Sequence, residues 1–197
     1  MRSDRNGLGR RLAVVGLAAG VLAAATGTAQ AQTGGSAPPG GTEPPPTTTT
    51  PAPTTGVATL LPDGSALAPS DAPPAVRKAI NAGNRIRLLP YRWGGGHKTK
   101  FADTGYDCSG AVSYVLHAAG LLKTPMSSGP LARRWGTPGI GQWITVYANS
   151  GHAYAVIAGL RWDTSAVGES LTSGTGPRWR ATARTPTGYS SKYYPGF

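Results

Sequence analysis

One cysteine among 197 residues forbids any internal disulfide, so nothing covalent can staple this chain and its fold must come from packing. That residue, Cys108, sits in Tyr106-Asp107-Cys108-Ser109-Gly110, directly ahead of a segment with helical periodicity. After Asp107 the apolar residues fall at Ala111, Tyr114, Val115 and Ala118, and at Val112, Ala119 and Leu122. Asp107 fits an N-cap, Cys108 the first helical position and Gly120 the end of the helix. A lone cysteine is commonly a small buried apolar side chain. At a helix N-terminus, however, the free N–H groups and the dipole favour the thiolate, which is the nucleophilic form. The Asp107 carboxylate opposes this, so a protonated histidine nearby must help. On placement, Cys108 reads as a nucleophile.

The chain ends limit where such a nucleophile works. Arg2, Arg5, Arg10 and Arg11 precede an apolar run from Leu12 to Ala25 and then Ala29-Gln30-Ala31. This is the pattern of a secretory signal peptide over residues 1–31, cleaved after Ala31, and it predicts export without a membrane anchor afterwards. The run is shorter than the roughly 20 residues a membrane span needs. Residues 32–74 are dominated by Pro, Thr, Gly and Ala, including Pro44-Pro45-Pro46 and Thr47 to Thr50. Such a composition buries little apolar surface and predicts an extended, disordered tether. Residues 75–197 then remain for one small folded domain.

Charge is concentrated in that last part. Fifteen of the 19 basic residues lie from Ala75 onward, against four of the eight acidic ones. An exported domain this cationic favours polyanionic surfaces such as bacterial wall polymers. The basic residues are scattered and form no nucleic-acid motif. Three dispersed histidines and one cysteine match no metal-ligand spacing, and no cofactor motif is present.

Along the domain, Ala75 to Ala82 predicts a short helix ending near Gly83. Leu88 to His97 is an aromatic, glycine-rich turn (Pro90-Tyr91-Arg92-Trp93-Gly94-Gly95-Gly96) suited to a cleft floor. From Gln142 the period changes. Trp143 to Tyr147, His152 to Ala158 and Leu160 to Thr164 read as strands, separated by Asn149-Ser150-Gly151 and by Gly159. The fold class is α+β: helices, one carrying the thiol at its start, packed on an antiparallel sheet that carries a histidine.

Of the three histidines, His117 is nine positions after Cys108, about 900° around the helix and ~13.5 Å along it, which removes it from the thiol. His97 lies in the glycine turn, where nothing local holds its ring. His152 opens a strand, where a rigid backbone aims it, and is the candidate base for Cys108. Asp163 on the following strand is the candidate for orienting His152, on account of its charge. Thr164, one residue on, is the alternative, and strand register decides between them. The tail from Gly176 adds a strand around Trp179, and its arginines read as solvated.

Taken together, Pro90-Tyr91-Arg92-Trp93-Gly94-Gly95, Asp107-Cys108-Ser109-Gly110 and Gly151-His152-Ala153 resemble the NlpC-type peptidases, papain-like cysteine hydrolases of bacterial cell walls. The resemblance spans residues 75–165. It implies a papain-like arrangement, a Cys108–His152 pair with a polar third residue, and hydrolysis of peptidoglycan stem peptides beside D-glutamate. It further implies Tyr91 at the substrate or oxyanion side. Ser109 is expected beside it, Trp93, His97 and Thr164 are candidate cleft residues, and the chain is expected to act as a monomer. Two departures stand out: the stretch from His97 to Gly105 lengthens the gap before Cys108, and relatives carry histidine, asparagine or glutamine at the third position. The same fold also serves amidases and acyltransferases. The other readings are a catalytically idle wall-binding module and a basic interaction protein whose cysteine pairs with a partner.

Overall fold

Eight strands and three helices follow one another in the computed structural model, which describes residues 56–169 and 175–197. All of them belong to one unit, residues 48–197. The expected signal segment and the Pro/Thr-rich stretch as far as residue 55 lie outside the described residues.

Folding begins earlier than composition suggests. Within the expected tether, β1 (Thr59–Leu60) and β2 (Ala66–Leu67) form an antiparallel hairpin. Its anchors are small: Ala58, Ala66 and Ala72 are buried, and Ala58 N–H donates to Ala158 O at 2.8 Å. Asn84 completes the attachment, bonding both the N–H and the C=O of Ala66. Leu60 packs against the core beside them, so the hairpin docks on a leucine, three alanines and backbone bonds.

Helix α1 (Pro74–Ile86) starts on a proline, whose missing N–H costs nothing in a first turn. It buries Val76, Ala79, Ile80, Gly83 and Ile86, a stripe at i, i+3, i+4 spacing. It runs through Gly83 instead of stopping there. The glycine serves packing there: the Trp179 ring lies against its bare Cα, and a Cβ at Gly83 would lie 2.4 Å from Trp179 Cζ2. The Trp179 Nε1–H is fixed on Asn84 Oδ1 at 2.9 Å, one residue along the same helix.

Helix α2 (Cys108–Ala118) begins at the cysteine and ends ahead of Gly120, which takes φ 79°. A third helix, α3 (Ser128–Arg134), opens Ser-Gly-Pro and was not legible in the sequence. The strands β3 (Thr137–Pro138), β4 (Ile144–Ala148), β5 (Ala153–Ile157), β6 (Leu160–Asp163), β7 (Arg178–Arg180) and β8 (Ser190–Tyr193) make one antiparallel sheet in the order β3-β8-β4-β5-β6-β7. The architecture is therefore α+β, with α2 against β5 and β6 and α1 against α2.

Alternation along the strands separates two faces. Ile144, Val146, Ala148, Ala153, Ala155, Ile157, Leu160 and Trp162 join the buried apolar core. Trp162 stacks near Trp179 (4.7 Å between centroids) and donates its Nε1–H to Ala111 O of α2 at 3.0 Å. The other face carries Tyr147, Tyr154, Arg161, Asp163 and Arg180. It is covered by the C-terminal segment, which brings Arg184 and Tyr189 over it. The arginines expected in a solvated tail are thus partly structural: Arg180 is buried and Arg184 is paired.

Candidate active site

Asp107 organises the start of α2. Its Oδ1 accepts from Gly110 N–H at 2.7 Å, an N-cap bond, and from the Ser109 hydroxyl at 3.1 Å. Its Oδ2 accepts from Gly94 N–H at 3.1 Å. His97 Nε2 lies 3.0 and 3.1 Å from the two oxygens and 3.2 Å from Ser109 Oγ. The ring of His97, for which nothing nearby in sequence supplies a hold, is therefore held by the cap residue ten positions later. Burial pushes the Asp107 carboxyl up, but His97, the Gly110 N–H and the Ser109 hydroxyl outweigh it and leave it below its usual value. The same bond to Asp107 raises His97, against the opposing effect of burial.

The glycine turn reaches this point because its backbone needs no room for side chains. A Cβ at Gly110 would sit 2.0 Å from Gly95 O, and one at Gly95 would sit 2.2 Å from Gly105 O. Asp107 N–H donates to Gly95 O at 3.2 Å, which fastens the turn to the helix. The negative charge that opposes a thiolate in the sequence is thus spent on the cap and on His97.

Cys108, the first residue of α2, is free and 9% exposed. A first helical residue has no intrahelical acceptor for its N–H. His152 faces it from just before β5. The Asn149 side chain sets the approach, its Oδ1 accepting from the N–H groups of Gly151 and His152, each at 2.9 Å. Asn149 N–H in turn donates to His152 O at 3.0 Å. This turn locks the His152 backbone before the strand begins.

Strand register chooses the partner of His152. Ala158 and Gly159 make a two-residue turn with φ 46° and 82°, and Ala155 pairs with Trp162. Continuing that register puts Asp163 opposite Tyr154, on the face that His152 shares, while Thr164 turns to the other face. Asp163 Oδ1 lies 2.8 Å from His152 Nε2. Asp163 takes Nε2 and leaves Nδ1 free of it, and the neighbouring Cys108 favours the protonated ring. Burial pulls the imidazole down, but Asp163 and Cys108 together outweigh it and push it up to about 9.

Asp163 is itself fully enclosed and well partnered. Ser165 N–H donates to Oδ1 at 2.9 Å, Arg184 Nη1 to Oδ2 at 3.1 Å, and Arg161 Nε lies 3.7 Å away. Burial raises its carboxyl, and His152, Ser165 and Arg184 more than reverse this. Arg184 is held in turn by the Tyr189 hydroxyl at 2.8 Å and by the faces of Tyr154 and Tyr189, 5.4 and 5.3 Å from the ring centroids. No local pattern marked Arg184, which lies 21 residues from Asp163.

A cleft of about 230 Å³ opens on Cys108, with Tyr91, Trp93, His97 and Ser109 on one side and Ser128 and Gly151 on the other. Tyr91 is 40% and Trp93 87% exposed. Burial, with the nearby thiol and Asp107, raises the Tyr91 phenol, so it keeps its proton as a donor. The Ser109 hydroxyl is committed to Asp107. Thr164 is buried and off the cleft, and His117 stacks on Phe101 (3.9 Å) and bonds Leu122 O at 2.9 Å, away from the thiol. Among the described residues no helix is long and apolar enough to cross a membrane.

No protein-family model and no curated protein matches the chain. Among solved structures, a hypothetical invasion protein of Mycobacterium tuberculosis is similar at 26% identity with a TM-score of 0.41, over 60% of this chain and 63% of that one. Two mutated forms of the Resuscitation Promoting Factor Interacting protein RipA are similar at 26% identity with a TM-score of 0.42, over 60% of this chain and 62% of theirs. The chain thus spans less than two thirds of the length of these neighbours.

Proposed function

We propose that this chain is an exported cysteine endopeptidase that hydrolyses peptidoglycan stem peptides, at the bond joining D-glutamate through its γ-carboxyl to a diamino acid. One observation carries the reaction class: a cysteine at the start of a helix neighbours an imidazole whose Nε2 is held by a buried carboxylate. The substrate class rests on the resemblance of the Tyr91, Cys108 and His152 segments to NlpC-type enzymes. The cationic balance of the domain fits an anionic wall as partner, and the N-terminal signal pattern fits an extracellular location.

In this reading Asp163 orients His152 and stabilises its imidazolium. The Cys108 thiolate attacks the amide carbon, forming a C–S bond and an oxyanion beside the Cys108 N–H. His152 gives its proton to the departing amine as the C–N bond breaks. Water then attacks the thioester, His152 takes its proton, and the C–S bond breaks to release the acid and restore the Cys108–His152 pair. The Tyr91 hydroxyl, at the cleft wall, donates to substrate or oxyanion.

The test is incubation of the full chain with purified peptidoglycan, followed by mass analysis of released fragments. Fragments ending at D-glutamate that vanish with Cys108→Ala are the expected result. Binding without new fragments overturns the assignment.

A further inference from the structure

A carboxylate bonded to an imidazole favours the imidazolium, and alone it would hold back the proton that His152 has to pass on. A positive charge is set against it. Arg184 Nη1 donates to Asp163 Oδ2 at 3.1 Å while His152 Nε2 lies 2.8 Å from Oδ1, so arginine and imidazole share one carboxylate through its two oxygens. Arg184 is itself held. Its side chain is 15% exposed, Nη2 donates to the Tyr189 hydroxyl oxygen at 2.8 Å, and the guanidinium lies over the Tyr154 and Tyr189 rings. The Tyr189 ring also stands edge-on to His152, 6.3 Å between centroids, so one tyrosine packs on the imidazole and anchors the guanidinium.

The other charged groups around this pair have further partners. Arg161 on β6 lies 3.7 Å from Asp163 Oδ2 but gives Nη2 to Glu169 at 3.0 Å and Nη1 to Val167 O at 3.1 Å. Arg180 on β7 pairs with the same Glu169 and gives Nε to the backbone oxygen of Asp163 at 3.4 Å. Arg178, opposite Asp163 in the strand register, donates to the carbonyls of Leu89 and Pro177. Cys108 adjoins the imidazole from α2. On β5 the Tyr154 phenol, stacked on Tyr147 of β4, is pushed up to about 12 by burial and stays neutral. Asp163 is the carboxylate with which Arg184 pairs, and that charge helps to hold the acid ionised.

We infer that Arg184 is a positioning residue of the proposed reaction: it fixes Asp163 on His152 and, by its charge, opposes the carboxylate's hold on the imidazolium proton. The inference rests on the reading of His152 as the group that gives and retakes this proton. Arginine suits the place because its charge does not titrate while the imidazole does.

The His152 imidazole, followed by NMR against pH in the full chain carrying Cys108→Ala, tests the inference without substrate and without a thiol titrating beside the ring. Arg184→Gln removes the opposing charge and raises the His152 titration by about one pH unit, the scale on which a charge a few ångströms away acts. Arg184→Lys keeps the charge and leaves the titration near that of the parent. Arg184→Met, whose stem still packs between the two tyrosine rings, is the second neutral variant should the glutamine chain not fold. With the thiol restored, the alkaline limb of kcat/KM moves upward in the neutral variants, and kcat falls by more than KM changes. A His152 titration that stays or falls in the neutral variants overturns the inference, because merely loosening Asp163 would lower it. So does Arg184→Lys shifting as far as Arg184→Gln. Peptidoglycan left uncut by the unaltered chain counts against the proposed function alone; the titration still decides whether Arg184 sets the imidazole.

Discussion

Asp163 and His152 are joined at 2.8 Å without being cross-strand partners: the register puts Asp163 opposite Tyr154, so the carboxylate meets the imidazole diagonally. Diagonal neighbours on one sheet face are within reach only of longer side chains. Asp163→Asn is therefore expected to lower turnover by more than tenfold, while Thr164→Ala, on the opposite face, changes it little. The alkaline limb of kcat/KM, which reports the imidazolium that protonates the leaving amine, moves from about 9 toward the ordinary histidine value of 6.5 in Asp163→Asn. An unmoved limb in the pH profile of Asp163→Asn removes the carboxylate from the role.

Cys108→Ser is expected to abolish wall lysis, by at least about a thousandfold, since the residues of such a unit act together. The swap preserves shape at a nearly buried position, so unfolding free energy changes by no more than about 1 kcal/mol. Denaturant unfolding beside a lysis assay checks both halves.

The imidazole of His152 also ties stability to pH. Its folded value is raised from 6.5 to about 9, so its stabilising contribution is complete below pH 6.5 and is lost as pH rises through 9. At about 1.4 kcal/mol per unit, this amounts to ~3 kcal/mol. Unfolding curves at pH 6 and pH 9.5 should show that loss in the wild type and a much smaller one in His152→Gln.

His97 and Asp107 act over a more acidic window. Asp107 is lowered from 3.8, so its contribution is present above that value and lost as pH falls through its folded value. His97 is raised from 6.5, so its contribution is complete below 6.5 and lost at higher pH. His97→Gln is expected to destabilise the chain by about 1–2 kcal/mol between these limits and by less at pH 9. A penalty equal at both pH values, measured by urea unfolding, would mean that charge plays no part.

Alanine is usually the better helix residue, yet Gly83→Ala should destabilise. Its Cβ would meet Trp179 Cζ2 at 2.4 Å, and the ring cannot yield freely because Nε1 is pinned on Asn84. Overpacking of this kind costs about 1–3 kcal/mol, exceeding the ~1 kcal/mol gained in propensity. A lower unfolding midpoint is the expected reading; a higher one shows that Trp179 moves.

Much of the site was legible because its parts lie beside strong local punctuation. Asp107 announces the cap before Cys108, Asn149-Ser150-Gly151 announces the turn before His152, and the gap at Gly159 brings β6 back alongside. Partners supplied from a distance were not legible. His97 finds its carboxylate across the glycine turn, and Arg184 reaches Asp163 from beyond β7; neither pairing leaves a periodic trace. The hairpin at residues 59–67 escaped for another reason: its leucines and its Asp63-Gly64 turn are short signals at the end of a long Pro/Thr-rich stretch whose composition masks them. Strand β8, Ser-Ser-Lys-Tyr, lacks the β-branched residues that mark a strand and owes its place to β4.

The reach of Arg184 back to Asp163 has a consequence for timing. Cys108, His152 and Asp163 all precede it in the chain, and β8, which pairs with the free side of β4, comes later still. A nascent chain that stops short of Arg184 thus carries every group of the proposed reaction while Asp163 still lacks its arginine and β4 its β8 partner. The proposed triad is therefore assembled only after residues 184–193 have been made, which delays it behind the synthesis of its own members.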